Sequence, residues 1–164
     1  MKRPLLIFFL LLIQLITFAQ NTKLDSLQAQ LITAKDTVKV NLLLDISKAY
    51  LGKDQGKVIY YARKAEKLAQ THRFARGEAY ALKNIGLAYF VEGKYKEALT
   101  YWQSSLQIFS AIHDKTGMCN MLGNIGTVYF NQGADAKAIA YYLPIYFLWT
   151  IIVTFLFPVL FGFK

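Results

Sequence analysis

The sequence predicts an all-α protein: an α-solenoid of stacked helical hairpins, with two full repeats and a partial third. Three observations carry this reading. Gly77–Ser104 and Gly117–Pro144 align without gaps at an offset of 40, with ten identical residues in 28 pairs. Within each copy the apolar residues recur at helical spacing. A glycine, Gly93 or Gly133, then breaks each copy at the same phase, as expected where a chain leaves a helix with φ > 0. A self-similarity period of this size marks stacked units, none of which can bury its apolar face alone.

The identical pairs are Gly77/Gly117, Leu82/Leu122, Asn84/Asn124, Ile85/Ile125, Gly86/Gly126, Tyr89/Tyr129, Phe90/Phe130, Gly93/Gly133, Ala98/Ala138 and Tyr101/Tyr141. A weaker copy runs from Thr37 to Arg76. There Asp45-Ile46-Ser47 stands where Asn84-Ile85-Gly86 stands, Ala49-Tyr50 matches Ala88-Tyr89, and Tyr61 matches Tyr101. One residue is missing at its central turn. The repeats therefore occupy 37–76, 77–116 and 117–142.

Each unit reads as two helices. In the second copy Ala81, Leu82, Ile85, Ala88 and Tyr89 form the apolar stripe of the first helix. Tyr95, Ala98, Leu99, Trp102, Leu106 and Phe109 form that of the second. A mid-helix glycine costs about 1 kcal/mol against alanine. Gly86 and Gly126 therefore point to a close helix–helix approach, with the small Ala98 and Ala138 expected opposite them.

Outside the repeats the chain changes character. Residues 1–19 read as a secretory signal: Lys2 and Arg3, an apolar stretch from Leu5 to Phe18, then Thr17-Phe18-Ala19 with cleavage after Ala19. An uncleaved N-terminal anchor is the competing reading. Residues 20–36 form a linker with a short capping helix, in which Leu24, Leu27 and Leu31 are in phase. Asp36-Thr37 is expected to cap the next helix. From Ala138 to Phe163 no side chain is charged. Residues 143–164 are a candidate transmembrane helix, since Ile145–Phe163 would span ~28 Å. They also fit a frameshift product, because Pro144 falls inside the third unit's second helix, where proline costs ~3 kcal/mol.

The repeat residues resemble the tetratricopeptide repeat. The family pattern appears as Leu82, Ile85-Gly86, Tyr89, Ala98 and Trp102, and again as Leu122, Ile125-Gly126, Tyr129, Ala138 and Tyr142. The period is 40 rather than 34, as in long-period repeats of secreted or sensor proteins from Bacteroidetes-type bacteria. The resemblance implies a non-catalytic module that binds a protein or peptide. It also implies that the first helices line a concave groove, with Asn84 and Asn124 holding a ligand's backbone and Asp45 in the equivalent place. An amide suits that task because it offers donor and acceptor together. Tyr80, Lys83, Leu87, Phe90, Thr127 and Phe130 should flank this surface. The alternative is the sensory input region of a membrane signalling protein whose output domain lies elsewhere.

Composition narrows the chemistry further. The chain is 55% hydrophobic and 18% charged, which excludes a disordered polymer. One cysteine, Cys119, and two histidines leave no metal cluster to expect, and no cofactor. His113-Asp114 falls in a turn between repeats without a nucleophile beside it. No glycine-rich phosphate loop occurs. The net charge is +9, or +7 once Lys2 and Arg3 are removed. Arg63, Lys64, Lys67, Arg73 and Arg76 read as a solvated helix face rather than a nucleic-acid patch, because the leader gives an exported address.

Overall fold

A computed structural model describes residues 23–151, with side chains as far as Pro144. Residues 23–33 form α1, followed by α2 (Asp36–Tyr50), α3 (Gln55–Thr71), α4 (Ala75–Val91), α5 (Tyr95–Ala111), α6 (Lys115–Asn131) and α7 (Asp135–Ile151). No strand occurs among the described residues. The architecture is the all-α repeat array that the sequence predicts. Helices pair as α2/α3, α4/α5 and α6/α7, and α3 and α5 each pack on the first helix of the next hairpin. Helix α2 also meets α4. The secretory signal and most of the apolar tail lie outside the described residues.

The turns follow a rule. Within each hairpin the chain reverses through a left-handed glycine: Gly52, Gly93 and Gly133, at φ 79, 73 and 70°. Between hairpins the same region is taken by Arg73 and His113, at φ 53 and 55°. Asp114, beside His113, accepts a 2.9 Å hydrogen bond from Gly117 N and caps α6, and its carboxylate meets Arg76 Nε at 3.0 Å. Asp54 caps α3 in the same way, through Lys57 N at 2.9 Å.

Each hairpin is closed by one stacked tyrosine pair joining its two helices. These are Tyr50–Tyr61, Tyr89–Tyr101 and Tyr129–Tyr141, with centroids 5.7, 5.4 and 5.4 Å apart. Beneath them, Trp102, Phe109, Met121, Ile125 and Val128 build one buried cluster, and Val40, Leu43, Leu44, Ala65, Ala69 and Ala81 another.

Four expectations need correction or refinement. Helix α2 is not capped by Asp36-Thr37: its N-cap is Lys35, which makes no side-chain cap bond, while Asp36 sits at φ 50° and its carboxylate lies 3.6 Å from His72. The residue missing from the first repeat is lost between Tyr50 and Gln55, where the offset to the second repeat changes from 39 to 40. Helix α2 has 15 residues where α4 has 17, and the connection is longer, Leu51–Asp54 against Glu92–Lys94. The third correction concerns the glycines. A Cβ on Gly86 would lie 2.5 Å from Trp102 Cδ1, and one on Gly126 would lie 2.7 Å from Tyr142 Cε1. The groups that need the space are aromatic rings, not Ala98 and Ala138. Finally, Pro144 does not stop the last helix, for α7 continues through it to Ile151. Proline removes one ladder hydrogen bond there. Among the described residues no helix is long and apolar enough to cross a membrane.

Candidate functional site

The first helices of successive repeats carry one stripe at helical spacing: Asn41, Leu44, Asp45 and Lys48 on α2, and Tyr80, Lys83, Asn84 and Leu87 on α4. Seven of these eight line a cleft of about 320 Å³ between the two helices; Leu87 lies just beyond it, in a small recess with Lys48, Leu51, Val58 and Asn84. The structure thus brings together Asp45, Tyr80, Lys83 and Asn84 among the residues expected at a ligand surface. Lys48 and Asn41 belong with them and were missed. Their signal was available, since they hold on α2 the phases of Leu87 and Tyr80.

The cleft is electrostatically uneven. Lys83 is half-buried, and burial, reinforced by the like charge of Lys48, lowers its pKa below the usual lysine range. Its ammonium also lies 5.5 Å from the Tyr80 ring centroid. Neither Lys48 nor Lys83 forms an ion pair with a described acidic residue. Two cations held together with incomplete hydration suit an anionic group.

Asn84 lines the cleft but lies deep in its floor. It is 3% exposed, and its Nδ2 donates to Leu44 O at 3.3 Å and to Ser47 Oγ at 3.4 Å. The amide nitrogen ties α4 to α2 at the floor of the cleft, while the amide oxygen accepts no hydrogen bond from a described residue. Asn124 lacks both equivalent partners. Ser47 is replaced by Gly86, and the carbonyl matching that of Leu44 belongs to Lys83, which accepts from Trp102 Nε1 at 3.1 Å. Asn124 Nδ2 is accordingly buried with no hydrogen-bond partner.

The remaining candidates lie apart from the cleft. Phe90 packs on Tyr95 and Trp102, with centroids 5.6 and 5.5 Å away. Thr127 Oγ1 donates to Gly123 O at 2.9 Å and lies 3.2 Å from Tyr142 Oη, so it is tied within its own hairpin. Phe130 is 62% exposed. The basic run divides: Arg63 bonds Glu66 and Tyr101, Arg76 bonds Asp114, and all five members are exposed. Among the described residues no group of three or more His, Cys, Asp or Glu could hold a metal ion.

Residues 77–143 match the family model described as Tetratricopeptide repeat. Over these residues the chain is similar to the tetratricopeptide-repeat family. The matched span holds the second and third hairpins, α4 to α7, and the cleft lies where the first hairpin meets the second. No curated protein matches the chain. Tetratricopeptide repeats are generally non-catalytic protein-interaction modules, and an exposed cleft between two first helices is consistent with that use.

Proposed function

We propose that the chain is a non-catalytic peptide-binding module acting outside the cytoplasm, with its ligand held in the cleft between α2 and α4. The observation that supports this is the pairing of Lys48 and Lys83 across that cleft, neither in an ion pair with a described residue, beside Asp45 and Tyr80. Such a surface selects a segment carrying a carboxylate, with Asp45 available for a neighbouring donor. The ligand's contacts fall chiefly on side chains of α2 and α4 that reach solvent, since the Asn84 amide nitrogen is already engaged by Leu44 O and Ser47 Oγ.

Peptides selected from a random library on the full chain should be rich in Asp and Glu. Lys48→Glu and Lys83→Glu should each weaken their binding at least tenfold. Selected peptides that bind both variants as tightly as the parent would place the ligand elsewhere. The exported address rests on Lys2, Arg3 and the apolar run that follows. A phosphatase that works only outside the cytoplasm, fused after residue 151, should be active.

A second reading is a sensory input region tied to a membrane, which the uncharged run Ala138–Phe163 favours. It requires residues 143–164 to hold the chain in the membrane fraction through alkaline washing.

A further inference from the structure

The opposite face of α2 carries a second groove. Helices α1, α2 and α3 border an open groove of about 550 Å³ there, a volume within the range of small-molecule sites (roughly 300–1,000 Å³). Its apolar surface comes from Leu31, Ile32, Leu43 and Leu68. Ile32 is 83% exposed at the lip. Three lysines complete the lining, Lys39 on α2 and Lys64 and Lys67 a turn apart on α3, and no carboxylate does. None of the three pairs with a described acidic residue, and Lys64 instead lies 4.4 Å from the Tyr60 ring centroid.

We propose that this groove binds a free long-chain carboxylate, with the acyl chain on the leucines and the head group between Lys64 and Lys67. The charge is of one sign, so it selects an anion. The floor is aliphatic and offers little to read a peptide backbone: the two remaining lining residues are neutral, and one of them, Gln28, already donates to Tyr50 Oη at 3.4 Å. Apolar contact provides the bulk of such binding, and the lysines provide selectivity.

The test uses the full chain held in phosphatidylcholine discs and a diazirine-bearing palmitate as probe. Cross-links mapped by mass spectrometry should fall on α1 and α3. Laurate should displace them, whereas dodecanol and dodecyltrimethylammonium should not. Lys64→Glu combined with Lys67→Glu, and separately Ile32→Asp, should each reduce labelling of the groove at least tenfold. All three positions are exposed, so the fold tolerates these changes. Labelling confined to residues 1–22 and 145–164 would overturn the proposal. So would labelling that survives charge reversal, equal displacement by dodecanol, or displacement by an acidic amphipathic peptide but not by laurate.

Discussion

The indole Nε1 of Trp102 donates to the carbonyl oxygen of Lys83 at 3.1 Å, laying the ring across α4 at Gly86. This contact joins the glycine, the ring and the carbonyl into one unit. Trp102 is 1% exposed, so its ring has nowhere to withdraw.

Gly86→Ala should therefore destabilise the chain by about 2–3 kcal/mol, despite alanine's better helix propensity. Trp102→Ala should cost about 3–5 kcal/mol through the cavity it leaves. The double variant should cost clearly less than the sum, because either change relieves the clash or fills the void made by the other. Urea unfolding followed by circular dichroism measures all three. Gly126→Ala should cost less than Gly86→Ala, since Tyr142 is only partly buried and can shift.

The two aligned asparagines should respond differently. Asn84→Ala removes an amide that binds Leu44 O and Ser47 Oγ in a buried place, and should cost about 1–3 kcal/mol. Asn124→Ala removes a donor that binds nothing and should stay within about 0.5 kcal/mol of the parent. Equal losses at the two sites would contradict the assigned hydrogen bonds.

Lys83 makes a prediction about pH. Its lowered pKa means that the folded state holds the proton less tightly than the unfolded chain. Stability should then rise as pH climbs through the window between the lowered value and the ordinary lysine value. Lys83→Met should be more stable than the parent near neutral pH, and the gain should fade across that window. Chemical denaturation at neutral and alkaline pH tests both parts.

His113 occupies the left-handed region without being a glycine, at φ 55°. His113→Gly should stabilise the chain by about 0.5–1 kcal/mol, the strain relieved being partly offset by a freer unfolded state. The melting temperature reads this directly.

Much of this fold is written in spacing. Helical stripes, the glycine at the end of α4 and the tyrosine matches all translate into observed helices, turns and ring pairs. Spacing says less about which neighbour covers a residue. Asn84 lies on the same stripe as Lys83, but the distance to α2 decides that one reaches solvent while the other is consumed by a carbonyl. The partner of Gly86 was hidden for a similar reason. Ala98 is small and in phase, yet Trp102, one turn further on, reaches back over the glycine. The second groove was legible only as basic residues, because its leucines come from three separate helices.

The three repeats fill one position in three ways: Ser47 with Ala62, Gly86 with Trp102, and Gly126 with Tyr142. Each pair straddles the inner turn of its own hairpin. A genetic crossover at the Arg73 or His113 turn moves both members together and leaves only the contacts between hairpins to be matched. A crossover at Gly93 or Gly133 separates them. Joining α2 to α5 would set a serine under an indole, and joining α4 to α3 would leave a glycine facing an alanine across empty space. The hairpin, rather than the single helix, is thus the smallest inheritable unit of this array, and its outer turns are where new members can be spliced in.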